Sequence, residues 1–325
     1  VSWMYRKLKQ YLIRNPWVFK AYRLVYSFKK RPIKADYLFR LENLELTNAC
    51  PMKCIMCART YKMTRPQGFM DMKLFKKIID EVSGLNAPFI REDDFWLHHF
   101  GESLLHPDFD KMISYCNEKG VKAGLSVNPM VMEENIAKRL IDARPNLLLL
   151  ALDGHDDESF YKIRGVPNAY EKSKENILNF LKLKKEAHNK IKTVISMIDC
   201  PENRDSINKV RGYWKRMEGV DDVLLKPFTD WNGEVEKINS LVDSTDKKRP
   251  CRVKCRSPWI RMSIAWDGDV LPCCYDYDKK YVLGNVNDNS LLEIWNGERM
   301  QQLRREFISG NVKNPLCRKC SMLYQ

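Results

Sequence analysis

The chain has 325 residues, 44% apolar and 30% charged, and its 56 Lys and Arg against 42 Asp and Glu give a formal charge of +14. That composition excludes a disordered or fibrous chain, and the length suits two ordinary domains or one large α/β domain with a smaller appendage. No apolar run approaches the roughly 20 residues of a membrane span, the longest being Leu147 to Leu152. No transmembrane segment is expected, and Lys and Arg interrupt every candidate secretory core in the first thirty residues.

Residues 1–36 interleave Trp3, Tyr5, Tyr11, Trp17, Phe19, Tyr22, Tyr26 and Phe28 with basic side chains. They read as a helical extension packing its aromatics on the main domain, the other reading being peripheral contact with an anionic lipid surface or an anionic substrate. Residues 37–230 then alternate. Candidate strands are Leu41 to Leu46, Phe95 to Phe100, Val121 to Val127, Leu147 to Leu152, Ile191 to Ile198 and Val223 to Lys226. Helical periodicity fills 71–83, 107–119, 133–143, 168–188 and 202–217. Six strands alternating with helices predict a parallel sheet with right-handed crossovers, closed or partly closed into a barrel, with functional groups at the carboxyl ends of the strands. Residues 231–250 are polar and read as a linker. Residues 251–325 carry short strands (Arg261 to Ala265, Val270 to Pro272), a turn at Trp266 to Asp269 and one helix near 290–308. So small a unit has a weak core of its own and leans on a metal or disulfides.

Cysteine placement carries the chemistry. Of the 11 cysteines, Cys50, Cys54 and Cys57 crowd one loop, Cys116 and Cys200 stand alone, and Cys251, Cys255, Cys273, Cys274, Cys317 and Cys320 fall in the last quarter. Clustering of this kind points to metal or iron-sulfur ligation in a reducing, cytoplasmic compartment rather than to disulfides. Three thiolates on one loop hold three irons of a four-iron cluster and leave the fourth open, which is what separates a reactive site from a closed one. A zinc site completed by a distant ligand is the alternative.

The loop Cys50-Pro-Met-Lys-Cys54-Ile-Met-Cys57 resembles the radical S-adenosylmethionine (SAM) superfamily, whose signature is C-x3-C-x2-C after the first strand of a partial (β/α)6 TIM-like barrel. The resemblance covers roughly residues 41 to 230. It implies an α/β fold, a catalytic 4Fe-4S cluster on Cys50, Cys54 and Cys57, and reductive cleavage of SAM to a 5′-deoxyadenosyl radical that abstracts a substrate hydrogen. His99 to Leu105 resembles the family's G-G-E-P segment with Phe100 and Ser103 in place of the first Gly and the Pro; Gly101 remains, and Glu102 would bind the SAM amino group. Ser126 and Asn128 fall where the family contacts the ribose. Arg164 falls where an Arg approaches the SAM carboxylate, and Met56 replaces the usual aromatic beside adenine.

Cys255-x12-Gly268-x4-Cys273, closed by Cys317-x2-Cys320, resembles the C-terminal SPASM extension in its shortened twitch form. That implies one auxiliary 4Fe-4S cluster on Cys255, Cys273, Cys317 and Cys320, with Cys251 and Cys274 as alternative ligands and four-cysteine zinc as the rival site. Cys200, at the end of the fifth strand, is a candidate hydrogen donor or a small apolar residue; Cys116 reads as core. Alternation sends only one of His98 and His99 into the barrel, and Trp231, Asn232 and Lys226 stand near the substrate entrance. The expected activity is oxidation, epimerisation or dehydration of a carbohydrate- or cyclitol-like metabolite, with the auxiliary cluster as electron conduit. The positive charge suits an anionic small molecule, and an external donor such as flavodoxin or ferredoxin would supply electrons. Two rivals are a peptide-modifying enzyme of the same superfamily, for which the residues before the barrel are too few for a leader-binding domain, and a non-catalytic iron-sulfur or zinc protein that binds nucleic acid.

Overall fold

A computed structural model describes residues 31–35, 39–85, 95–241 and 255–321. The readings made for residues 1–30, for Cys251 and for 242–250 lie outside the described residues. β1 (Arg40–Leu44), β2 (Phe95–Trp96), β3 (Ala123–Val127), β4 (Leu147–Ala151), β5 (Lys192–Ile198) and β6 (Asp222–Lys226) stand side by side in chain order. Each pairs parallel with the next. β6 does not return to pair with β1 among the described residues, so the barrel is partial.

Helices Met72–Gly84, Phe109–Glu118, Glu134–Ala143, Tyr170–Glu186 and Ile207–Lys215 lie within the stretches of helical periodicity, give or take a residue. The first illustrates why: the Asp71 carboxylate accepts from the backbone N–H groups of Lys73 and Leu74, and Leu74, Phe75, Ile78, Ile79 and Val82 form one buried stripe. Two local expectations fail. β2 keeps only two ladder residues, because the chain leaves the sheet after Trp96 and turns through Gly101 at φ +101°. A helix not read from the sequence, Asp157–Arg164, is started by a reciprocal Asp156–Ser159 cap and stopped by Gly165 in the left-handed region. Its face buries only Ser159, Phe160 and Ile163, too little to leave a clear periodicity.

The C-terminal region is not the weakly cored appendage expected. β7 (Arg261–Ile264) joins the barrel sheet parallel to β1, with Leu41 opposite Met262 and Leu44 opposite Ile264. β8 (Asp269–Leu271) and β9 (Gly284–Asn285) extend it antiparallel. Met262, Ile264, Val270 and Trp295 belong to the same buried cluster as Leu41, Leu44 and Phe75. The single helix expected near 290–308 is two, Leu291–Trp295 and Glu298–Ser309, divided at Gly297. The described end of the basic extension is tied to this region: Trp259 Nε1 donates to the Pro32 carbonyl at 2.8 Å, and Ala35 exchanges two hydrogen bonds with Asn296.

Register decides what lines the barrel. Trp96, Gly124 and Leu147 lie opposite one another, then Ser126, Leu149 and Val194. Trp96, Leu147, Leu149 and Val194 form a small apolar cluster of their own. Continuing the alternation toward the carboxyl ends brings His98, Ser126 and Lys226 onto the same face. The barrel therefore has an apolar floor and a polar mouth.

Candidate active site

Past β1 the chain runs as a loop through Cys50, Cys54 and Cys57, and Cys57 begins the one-turn helix Ala58–Tyr61. Two clasps hold this loop. Lys53 and Ile55 donate their backbone N–H groups to the carbonyls of Arg164 and Ile163, each at 3.0 Å. Gly165 follows at φ +71°, where a Cβ would stand 2.6 Å from the Lys53 carbonyl oxygen. On the other side, a Cβ at Gly101 would stand 2.2 Å from the Thr47 carbonyl oxygen, and Glu102 donates its N–H to the Ala49 carbonyl at 2.8 Å. Both glycines are required by close backbone approach as well as by positive φ.

Burial pushes the Cys50 thiol up to about 12, with the nearby Glu102 carboxylate adding to it. Burial and then Cys54 push Cys57 up to about 11. Thiolates so placed need cationic partners, and iron supplies that charge. Arg164 supplies part of it: one guanidinium nitrogen donates to Cys54 Sγ at 3.5 Å and another pairs with Asp153. Burial works against the guanidinium charge, but Asp153 and Cys54 hold its proton affinity well above the usual value.

The Glu102 carboxylate is buried and accepts from the N–H groups of Leu104 at 3.1 Å and Asn128 at 2.6 Å. Burial outweighs those bonds and pushes it up to about 7, so the group is poised to gain from a cation. Asn128 Oδ1 accepts from the Met130 N–H, while its buried Nδ2 has no partner among the described residues. Gly101, Glu102, Ser126 and Asn128 thus gather at the ends of β2 and β3, across from the cysteine loop and Arg164. Met56 is buried in the core, and its carbonyl accepts from Trp231 Nε1.

Inside the mouth, His98, Lys226, Arg164 and Asp153 influence one another. Burial, then Lys226, His99 and Arg164, lower His98 to about 3, and its buried Nδ1 has no partner among the described residues. Burial lowers Lys226, and Arg164 adds to this against Asp153. His99 turns outward as alternation requires, its Nε2 lying 2.8 Å from the Cys274 carbonyl. Beside it sits a pair the sequence reading missed, Glu45 with Arg65, joined by two bonds of 2.5 and 2.6 Å. The Glu45 carboxylate also takes the N–H groups of Phe100 and Trp266. The only available signal was an acidic residue interrupting the apolar end of a strand.

Cys200, the candidate hydrogen donor or small apolar residue, follows the end of β5. Its side chain has no exposed surface and packs in the apolar core, with burial, Asp153 and Glu202 pushing the thiol up to about 12. Cys116 is likewise core, as expected.

The second thiol set surrounds a cavity of about 190 Å³ lined by Cys255, Cys273, Cys274, Cys317 and Cys320, with Arg261 and Asn232 in its wall. Burial raises Cys317, and then Cys273, Cys255 and Cys320 raise it further, so these four sulfurs face a common space. The Cys274 thiol donates to Cys273, which lowers Cys273 and raises Cys274, making Cys273 the readier thiolate. Sulfurs gathered around one void are the donor set that a multi-iron group needs. No described helix is long and apolar enough to cross a membrane.

The radical SAM superfamily model matches residues 44–211, and a model described as an iron-sulfur cluster-binding domain, SPASM, matches 255–321. The chain is 24% identical to the tungsten-containing aldehyde ferredoxin oxidoreductase cofactor-modifying protein of Pyrococcus furiosus, over 86% of each chain. It is 20% identical to the SAM-dependent 2-deoxy-scyllo-inosamine dehydrogenase of Niallia circulans, over 88% of this chain and 94% of that one. Among solved structures, SuiB of Streptococcus suis bound to its precursor peptide superposes with a TM-score of 0.64 at 17% identity, covering 95% of this chain and 75% of that one. BtrN in complex with AdoMet and 2-DOIA gives 0.54 at 17% identity, over 88% and 94%. The thiol loop, its clasps and these matches agree: the chain belongs to the radical SAM superfamily, carries a SPASM domain, and uses SAM, a catalytic 4Fe-4S cluster and an auxiliary 4Fe-4S cluster.

Proposed function

We propose that the protein oxidises an alcohol carbon of a small hydroxylated, carbohydrate- or cyclitol-like metabolite to a carbonyl. Cys50, Cys54 and Cys57 hold the catalytic cluster, and Cys255, Cys273, Cys317 and Cys320 the auxiliary one. Glu102 holds the SAM amino group, Ser126 and Asn128 the ribose, and Arg164 sits by the carboxylate while balancing Cys54. Cluster and SAM together supply the 5′-deoxyadenosyl radical that takes the carbinol hydrogen atom. The chain supplies the rest: the apolar floor excludes water, and neutral His98 Nδ1, with Lys226 beside it, accepts a hydrogen bond from a substrate hydroxyl and receives the proton that the hydroxyl releases on oxidation. An auxiliary cluster held by Cys255, Cys273, Cys317 and Cys320 would accept the remaining electron.

The observation that carries this reading is the nearness of the two cysteine sets. Trp231 Nε1 donates to the carbonyl of Met56, next to Cys57, while the adjacent Asn232 lines the second void. The 2-deoxy-scyllo-inosamine dehydrogenase, which matches nearly the whole chain, supports the substrate class. The test is anaerobic incubation of reconstituted protein with reductant, SAM and polyols deuterated at their carbinol carbons. Deuterium in 5′-deoxyadenosine together with a ketone product is expected. Deuterium arriving only from a peptide would move the assignment to peptide modification, and SAM cleavage with transfer from neither would refute the substrate class.

A further inference from the structure

The turn after β6 runs through three successive residues in the left-handed region. Trp231, Asn232 and Gly233 have φ of +47°, +63° and +80° in succession, and a bulky residue such as Trp is rarely found there. Everything around the turn is tied. The Trp231 ring sits between Phe100 and Tyr275, at 5.1 and 5.7 Å between centroids. Asp230 Oδ1 accepts from Ser321 Oγ at 2.9 Å, and the Gly233 carbonyl accepts from Asn239 Nδ2 at 2.7 Å.

One group is left over. Asn232 is 1% exposed and lies in the wall of the thiol-lined void, yet neither Nδ2 nor Oδ1 has a hydrogen-bond partner among the described residues. Burying an amide in this way is costly unless something in the void receives it. The apolar part of that wall, Leu303, Phe307 and Leu316, has no side-chain acceptor to offer. The sulfurs of an iron-sulfur cluster carry net negative charge and accept hydrogen bonds, so they select the N–H end of the amide. We propose that Asn232 Nδ2 donates a hydrogen bond to a sulfur of the auxiliary cluster and thereby raises that cluster's reduction potential, since a donor favours the more negative, reduced state. This rests on the reading of the void as the auxiliary site.

The test is an electron paramagnetic resonance redox titration of the holoenzyme and of two variants. Asn232→Asp keeps size and tolerance of positive φ but replaces the donor with an acceptor. Asn232→Gly keeps the turn and removes the side chain. In both, the reduced-to-oxidised ratio of the auxiliary cluster at the wild-type midpoint is expected to fall about tenfold, equivalent to about 59 mV for a one-electron couple. The catalytic cluster, identified by its response to SAM, keeps its midpoint. An exchangeable-proton coupling on the reduced auxiliary cluster, seen by ENDOR in H2O against D2O, is expected in wild type and lost in both variants. Unchanged midpoint and coupling with full iron content would overturn the proposal. So would loss of the auxiliary irons from Asn232→Gly while Asn232→Asp keeps both irons and potential, which would make the residue merely structural. Wild type that binds only about four irons would instead overturn the auxiliary-site reading beneath it.

Discussion

Replacing Gly165 by Ala tests whether the end of helix Asp157–Arg164 holds the cysteine loop. The new methyl group would sit 2.6 Å from the Lys53 carbonyl oxygen and 2.9 Å from the Lys53 Cβ, at φ +71°. Left-handed backbone costs Ala about 1–2 kcal/mol. Relieving the overlap moves the loop and stretches the Lys53–Arg164 and Ile55–Ile163 backbone bonds, each worth about 1 kcal/mol. The sum is about 3–4 kcal/mol, which lowers the closed-to-open ratio of the loop by more than about 100-fold at 1.4 kcal/mol per decade. Reconstituted Gly165→Ala protein is expected to lose the SAM-responsive cluster signal and about half its iron, keep the auxiliary signal, and melt several degrees lower. Gly84→Ala is the control, because a Cβ there meets nothing within 4 Å. A Gly165→Ala protein with full iron and an unchanged melting temperature would refute the clasp.

Arg65→Ala leaves the fully buried Glu45 carboxylate without its partner and is expected to cost about 3–5 kcal/mol in urea unfolding; the double change Glu45→Gln, Arg65→Met should cost much less, and equal losses would refute the pairing argument. Cys273→Ala should lose the auxiliary irons whereas Cys274→Ala keeps them, measured by iron content and electron paramagnetic resonance; the reverse would exchange their roles. Burial lowers His98 from 6.5 to about 3, so on acidification the unfolded chain takes up the proton first. Stability is thus full above 6.5 and lost as the pH falls toward 3, by up to about 1.4 kcal/mol per unit. Urea midpoints at pH 7 and pH 5 should differ less in His98→Leu than in wild type, and parallel slopes would show that His98 is not held neutral by burial.

Much of the fold was legible because its signals are local. Period-two and period-3.6 patterning located six barrel strands and five helices, and the tight triple Cys50, Cys54 and Cys57 announced an open metal site by spacing alone. The order of Gly101-Glu102, Ser126, Asn128 and Arg164 behind it let one resemblance name their neighbourhood. The short polar helix Asp157–Arg164 was missed because its buried residues are too few to leave a period, and β2 was read too long because the buried run continues past the point where the chain leaves the sheet.

Other features were decided only in three dimensions. Nothing local in Arg261–Ile264 says that it lies against β1, some 220 residues earlier in the chain, and so the C-terminal region's continuity with the barrel core was invisible. Glu45 and Arg65 are 20 residues apart and meet only because the turn after β1 returns. That Cys200, alone in the sequence, is fully buried within reach of Asp153 is likewise a fact of the folded chain. Asn232 is an ordinary turn residue in the sequence and becomes informative only when folding buries its amide beside five cysteines and gives it no partner among the described residues. Patterning specifies which face of an element is buried, but the identity of the group it is buried against depends on register and crossing between distant segments. In this protein those decide the chemistry around both clusters.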